Sequence, residues 1–111
     1  MMKVIHILSE SAAVGTRLRD ILYQDGFSDI VLSDLSAMPQ SLPDGFLIIY
    51  AKTRVSDLMQ ELAACGRTVI LLVNPDCYAI FLDRARHLGI TLLLMPVAPF
   101  VLLDAVRQVI S

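Results

Sequence analysis

The sequence is poor in charge and carries no large excess of either sign. Its 111 residues include nine Lys and Arg against eleven Asp and Glu, a net charge of −2, and charged residues make up only 18% of the chain. Proteins that bind nucleic acid need a basic patch or stripe that neutralises phosphates. No run of like charge occurs here, so we expect no nucleic-acid binding by this chain.

Cysteine, histidine and tryptophan are also scarce: the chain has two cysteines, two histidines and no tryptophan. Cys65 and Cys77 lack a pairing motif, which is typical of free thiols in a reducing compartment. A metal site needs more ligands than these cysteines and the well-separated His6 and His87 supply. No glycine-rich phosphate loop is present either. We therefore expect no cofactor and no metal, with Glu10 as a weak candidate for a cation ligand.

Long apolar runs are missing as well. The longest covers residues 90–103, about 14 positions interrupted by Pro96 and Pro99, whereas a membrane-spanning helix needs about 20. The apolar run that opens the chain is broken by His6, Ser9 and Glu10, unlike a signal peptide. We expect a cytoplasmic protein without membrane contact, and the length predicts one domain over residues 1–111.

What the sequence does have is apolar segments of two alternating kinds, and hydrophobic residues make up 56% of the chain. Short unbroken runs typical of buried strands alternate with segments of helical period. The predicted strands cover residues 3–8, 30–32, 46–50, 68–73 and 90–95. Helices are predicted after the first, third, fourth and fifth strands. The segment between the second and third strands contains Pro39, Pro43 and Gly45, so it has room for one or two helical turns.

This alternation predicts an α/β fold with a doubly wound, five-stranded parallel sheet. Strands joined by helical crossovers pair in parallel, with helices on both faces. Strand order 2-1-3-4-5 is the natural solution at this length, which gives a flavodoxin-like three-layer sandwich with a shortened second helix. A functional site would lie at the carboxyl ends of strands one and three, beside the topological switch point.

The layout resembles the response-regulator receiver domain, the CheY-like fold, over essentially the whole chain. Residues 3–11 are similar to its opening strand and acidic turn, and residues 89–99 are similar to its last strand and lysine–proline turn. The more specific detail is the Met95-Pro96 turn followed by a helix at Pro99. The resemblance implies a signalling module, and it implies a cis peptide bond before Pro96.

The positions that carry the chemistry of receivers are replaced here. Receivers have two metal-binding acids after the first strand, a phosphoacceptor aspartate after the third, a Ser or Thr after the fourth and a lysine in the last turn. The corresponding positions in this sequence, in that order, are Ser9 and Glu10, Tyr50 or Ala51, Val73 and Asn74, and Met95. Because phosphoryl transfer depends on positioned charge and metal, we expect no aspartyl phosphorylation and no enzymatic activity.

The polar residues that remain at these strand ends have more than one interpretation. Asn74 is interpreted chiefly as the N-cap of the following helix. Glu10 is interpreted chiefly as an acid favoured by a helix N-terminus, and Lys52 and Arg54 as solvated residues. The alternative is a small-molecule or metal-binding regulatory domain that reuses the strand-end pocket through Ser9, Glu10, Lys52 and Asn74.

Helical wheels place several apolar residues away from the core. Phe100 and Val101 lie off the apolar stripe of the last helix, and Ile80 lies off the stripe of the helix that begins at Pro75. In receivers these two helices and the fifth strand form the usual dimer surface. The resemblance therefore implies a protein partner, or a second copy of the chain, on this face; isolated surface hydrophobes are the alternative. The predicted polar rim comprises Asp83, Arg84, Arg86, Asp104 and Arg107.

Together these features predict a degenerate receiver, or pseudo-receiver. Such a domain is the non-catalytic regulatory part of a two-component-type response regulator, and it acts in signal transduction through protein–protein interaction. The short segment between strands two and three, with the missing phosphorylation residues, resembles the amidase-operon antitermination regulators of the ANTAR type. The resemblance implies transcription antitermination as the output, with RNA binding outside this chain.

Overall fold

The computed structural model describes residues 4–35, 45–65 and 68–110, and these residues form five strands and four helices. The predicted short second helix falls mostly on residues 36–44, which lie outside the described residues. The elements in chain order are β1 (Ile5–Ser9), α1 (Ala12–Gln24), β2 (Ile30–Asp34), β3 (Phe46–Tyr50), α2 (Val55–Cys65), β4 (Thr68–Val73), α3 (Pro75–Leu88), β5 (Thr91–Leu94) and α4 (Pro99–Ile110).

All strand pairs in the sheet are parallel, and the strand order is β2-β1-β3-β4-β5. The predicted fold class is thereby confirmed. Ser9 at the end of β1 lies opposite Asp34 of β2 and Tyr50 of β3. Since β1 pairs with β2 on one side and with β3 on the other, the chain reverses its direction of winding at β1. The carboxyl ends of β1 and β3 are therefore adjacent, as the sequence predicts.

Successive side chains of each strand point to opposite faces of the sheet, and helices bury both faces. On one face, Leu47 and Ile49 of β3 belong to a cluster that also includes Met59 of α2 and Ala85 of α3. The other face packs Ile48 of β3 into a second cluster. That second cluster includes Leu22 of α1 and Leu102 of α4. Every residue of β3 is buried, which is the reason for its unbroken apolar sequence.

Local signals account for where the helices begin and end. Ser11 precedes α1 in an extended conformation, and its hydroxyl accepts a hydrogen bond from the backbone N–H of Val14 at 3.3 Å. Pro75 opens α3, where its missing N–H costs nothing. Gly89 ends α3 with a φ of 71°, a left-handed conformation that favours glycine. The sequence therefore sets these boundaries residue by residue.

Within the described residues, no helix is both long enough and apolar enough to cross a membrane.

Substitution of neighbouring residues on α4 tests this packing. Leu102 is fully buried and Phe100 is 74% exposed. We expect Leu102→Ala to lower the free energy of unfolding by about 2–5 kcal/mol, because it leaves a cavity between helix and sheet. Phe100→Ala should change it by less than about 0.5 kcal/mol. Urea denaturation followed by circular dichroism measures both, and equal losses would contradict the orientation of α4.

Candidate functional site

The carboxyl ends of the strands bring together the seven residues that the sequence aligns with the receiver site. The backbone N–H of Glu10 donates to the carbonyl of Tyr50 at 3.1 Å, and that of Ala51 donates to Leu72 at 3.2 Å. At the other end of the site, the N–H of Met95 donates to the carbonyl of Val73 at 2.9 Å. These backbone hydrogen bonds extend the sheet by one residue and fix the backbone positions from which the side chains of the site project.

The Glu10 carboxylate binds the loop between β3 and α2. Its Oε2 accepts hydrogen bonds from the backbone N–H groups of Lys52 and Thr53, the latter at 2.9 Å, and its Oε1 accepts one from the Thr53 hydroxyl at 2.9 Å. Glu10 therefore does more than favour the start of a helix, the role assigned to it from the sequence. It ties β1 to the loop after β3, and the hydrogen bonds from this loop already use both of its oxygens.

These contacts shift the pKa of Glu10. Partial burial desolvates the carboxylate and raises its pKa, but the hydrogen bonds from Lys52 and Thr53 and the charge of Lys52 lower it, so the net pKa lies below the ordinary value of 4.5. A lowered pKa means that the folded state favours the ionised carboxylate. Glu10 therefore stabilises the fold at neutral pH as an anion.

Tyr50 is the last residue of β3 and, with Ala51, one of the two positions that the sequence aligns with the phosphoacceptor of receivers. The residue is buried in the cluster beneath α1 and α4, and its hydroxyl donates to Oδ1 of Asn74 at 3.1 Å. Asn74 has the extended backbone of an N-cap, but its side chain makes no capping hydrogen bond. The interpretation of the Asn74 side chain as a helix cap is thus corrected. It accepts instead from Tyr50, whose buried hydroxyl needs a partner.

The remaining site positions belong to the core. Ala51 and Val73 are buried in the cluster beneath α2 and α3. Met95, at the position of the receiver lysine, packs against the cluster on the opposite face, where Val97 is also buried. The Met95–Pro96 peptide bond is cis, which is the conformation that the resemblance implies. Apolar packing therefore surrounds the positions that the sequence aligns with the acceptor carboxylate and the lysine of receivers.

The serine side chains in the turn after β1 bond to the turn itself. The Ser9 hydroxyl is buried, donates to the carbonyl of Ser11 at 2.6 Å and accepts from the N–H of Ser11 at 3.1 Å. Ser11 caps α1, as described above. Both hydroxyls thus have a role in shaping the turn between β1 and α1.

Two clefts flank Glu10. One of about 60 Å³ lies between Glu10, Thr53 and the first turns of α2. The other, of about 220 Å³, opens at the ends of β1 and β2, and neither Lys52 nor Asn74 lines it. The four residues named for a ligand or metal site thus do not share this cavity. Its polar lining comprises Ser9, Glu10, Ser11, Thr16, Ser33 and Asp34.

Metal ligands are not grouped in the part of the chain that the structure describes. Residues 4–35, 45–65 and 68–110 contain no group of three or more His, Cys, Asp or Glu that could hold a metal ion. The weak candidate Glu10 faces N–H and O–H donors, which a cation would have to displace. Burial raises the pKa of Cys77, and the Asp76 charge adds to this, so its thiol is poorly suited to bind a cation as thiolate.

The predicted interface residues do not all lie on one face. Arg84 donates to the Ser56 hydroxyl of α2 at 2.8 Å, and Ile80, one turn earlier, lies on the same side of α3. Arg107 forms an ion pair of 2.6 Å with Asp25 at the end of α1. These contacts direct Arg84 and Arg107 towards neighbouring helices, away from the face formed by α3, β5 and α4.

Other apolar residues remain exposed near the end of β5. Phe100 is 74% exposed, Val101 37% and Leu94 44%, although the apolar run of β5 is typical of a buried strand. We call Leu94, Phe100 and Val101 the apolar patch. The edge position of β5 in the predicted strand order is the signal that could have identified Leu94 as an exposed residue. Asp104 is exposed on the same helix as Phe100, while exposed Asp83 lies 4.0 Å from Arg86 along α3.

Comparison with known proteins identifies the fold. No family model matches the sequence, and no curated protein matches it. Among solved structures, the chain is similar to the crystal structure of a response regulator receiver protein from Burkholderia phymatum, with 19% sequence identity and a TM-score of 0.64. The similarity covers 97% of this chain and 94% of that one. The chain therefore has the CheY-like receiver fold.

Replacing Glu10 tests its role in the loop. Because its pKa is lowered, Glu10 contributes stability above its unfolded pKa, and that contribution is lost as pH falls through its folded pKa. We expect Glu10→Gln to lower the unfolding free energy at pH 7 by about 1 kcal/mol, modest because the site is partly open to solvent. The difference from wild type should shrink as pH falls below the ordinary glutamate pKa of 4.5.

Asp57→Asn is the matched control, since Asp57 lines the same small cleft on α2. Urea denaturation at a series of pH values measures both variants. A Glu10→Gln effect that persists unchanged in acid would contradict an anionic role for this carboxylate.

Proposed function

We propose that this chain is a pseudo-receiver, a non-catalytic regulatory domain of response-regulator type that works without aspartyl phosphorylation. It acts in signal transduction through contact with another protein surface. The observation that carries this proposal is the joint replacement of acceptor, hydroxyl and lysine at the strand ends, with buried or internally bonded side chains in their places.

The chemistry of phosphoryl transfer supports the proposal. The reaction needs a carboxylate acceptor, a divalent cation and positive charge near the transferred group. Tyr50 and Ala51 supply no carboxylate, Met95 supplies no charge, and Glu10 is bonded to N–H and O–H donors. A cation would have to displace the hydrogen-bond donors of Glu10, and the neighbouring Ser9 supplies no second carboxylate.

The proposed protein–protein contact involves the apolar patch. The apolar patch lies at the end of β5 and the start of α4, where three hydrophobic side chains are exposed. Asp104 supplies a polar neighbour on the same helix. The occupant that we propose is a second copy of this chain, because the receiver fold commonly uses this region for self-association. Arg84 and Arg107, bonded to neighbouring helices, are left out of the proposed contact.

The finer proposal concerns the output. The connection between β2, which ends at Asp34, and β3, which begins at Phe46, has 11 residues, whereas a crossover between parallel strands usually needs a dozen or more. That shortness, together with the missing phosphorylation residues, resembles the amidase-operon antitermination regulators. We propose that this domain serves such a regulator, with RNA binding performed outside this chain.

A second candidate function is a ligand-binding regulatory domain. The cleft of about 220 Å³ at the ends of β1 and β2 favours it, because hydroxyl and carboxylate groups line that cleft. A small polar molecule is the matching ligand class. A thermal-shift screen with sugars, divalent cations and nucleotides tests this candidate, since specific binding raises the melting temperature.

Treatment with a small phosphodonor and Mg²⁺ tests the absence of phosphorylation. We expect the intact mass of the protein to stay unchanged, because no carboxylate stands at the end of β3. An active receiver treated in parallel should gain about 80 Da, the mass of one phosphoryl group. A gain of that size in this chain, lost on mild base treatment, would overturn the proposed function.

Self-association through the apolar patch can be measured by sedimentation equilibrium. We expect Phe100→Asp to weaken dimerisation by at least about tenfold, because it places a charge in an apolar contact. Tyr23→Asp is the control, since Tyr23 is 46% exposed on α1, away from the patch. A wild-type protein that stays monomeric up to millimolar concentration would exclude a second copy as the occupant.

A further inference from the structure

The loop between β3 and α2 directs three hydrogen-bond donors at one anion. The backbone N–H groups of Lys52 and Thr53 and the hydroxyl of Thr53 all donate to the carboxylate of Glu10. The two carboxylate oxygens share these donors, two on Oε2 and one on Oε1. Such convergence of successive N–H groups on an anion is the arrangement of a backbone nest.

The backbone of the loop has an unusual conformation where it meets α2. Arg54, the residue before α2, has a φ of 53°, a left-handed conformation that is uncommon for a residue with a side chain. Such a conformation persists where surrounding contacts over-determine it. Arg54 follows both donor N–H groups, so its conformation turns the chain from the loop into α2. The hydrogen bonds from Lys52 and Thr53 to the Glu10 carboxylate are contacts that hold the loop next to this turn.

Charges around the loop are mixed. Lys52 and Arg54 are positive and exposed, and the Lys52 charge contributes to the lowered pKa of Glu10. Asp57 and Glu61 of α2 line the small cleft beside Glu10, and Asp34 of β2 lines the larger one. A monovalent, planar anion fits this balance better than a multiply charged one. The binding groups suit a carboxylate in both charge and geometry.

We propose that the β3–α2 loop is a carboxylate-binding site and that the chain fills this site with its own Glu10. The tether to β1 gives Glu10 a high effective concentration at the loop, so free anions cannot compete with it in the wild-type protein. The loop is consequently held in an anion-filled state without a covalent phosphoryl group or an external ligand. Removing the side chain should convert the site into one that binds a free carboxylate.

Rescue of Glu10→Ala by formate tests the proposal. Formate supplies the missing carboxylate, and for so small a ligand we expect a dissociation constant of about 1 mM or weaker. At tenfold that concentration the melting temperature of Glu10→Ala should rise by about 5 °C, in a saturable way. Sodium chloride at equal ionic strength provides the reference for screening.

Three variants serve as controls. Wild type and Glu10→Gln should show no formate response, since a side chain still fills the site. Asp57→Ala removes a negative charge from the same cleft and leaves Glu10 in place, so it should not respond either. Adding Thr53→Val to Glu10→Ala removes one donor, and we expect it to weaken the formate response several-fold.

A formate response in Glu10→Ala no larger than that in Asp57→Ala, or one that chloride reproduces, would overturn the proposal. If Glu10→Ala is unfolded without anion, formate should restore its circular dichroism spectrum, and failure to do so would equally overturn it. Neither outcome bears on phosphorylation or on the apolar patch, so a failure here is separate from a failure of the proposed function.

Discussion

The parallel pairing of β1 with β3 is the constraint on which the rest of the structure depends. It sets Ser9 opposite Tyr50, and the backbone bond from Glu10 to Tyr50 continues the register one residue further. The loops after both strands consequently start side by side. Burial of β3 on both faces leaves apolar residues along its whole length, so polar chemistry is confined to these loop starts.

Internal partners satisfy the polar groups at this edge. Glu10 bonds to the loop after β3, and Tyr50 bonds to Asn74 across β3 and β4. A buried hydroxyl or a partly buried carboxylate is costly without a partner, and each partner found within the chain removes a group from reaction with a ligand. A strand end whose polar groups are bonded in this way is suited to hold one conformation, which agrees with the proposal that the domain acts through its surface.

The helices show how tertiary contacts decide the role of a surface residue. A helical wheel correctly sets Phe100 and Ile80 outside the core stripes, because the period of the helix is a local property. It cannot tell that Arg84 meets α2 or that Arg107 meets Asp25, since these neighbours come from distant parts of the chain. Leu94 is exposed because β5 lies at the edge of the sheet, and an apolar sequence alone does not separate edge strands from central ones.

The sequence by itself determined the element order, the strand order and the absence of a carboxylate at the end of β3. Apolar runs, proline at helix starts and glycine at helix ends are local signals, and crossover rules leave few topologies for them. Only the tertiary structure decided what replaced the lost chemistry. Asn74 has a side chain typical of a helix cap, but it accepts a hydrogen bond from Tyr50. Glu10 accepts a hydrogen bond from Lys52, which lies 42 residues away in the sequence. Such partners depend on the side-chain geometry of folded loops, because a side chain such as that of Asn74 can also bond to backbone groups nearby in sequence.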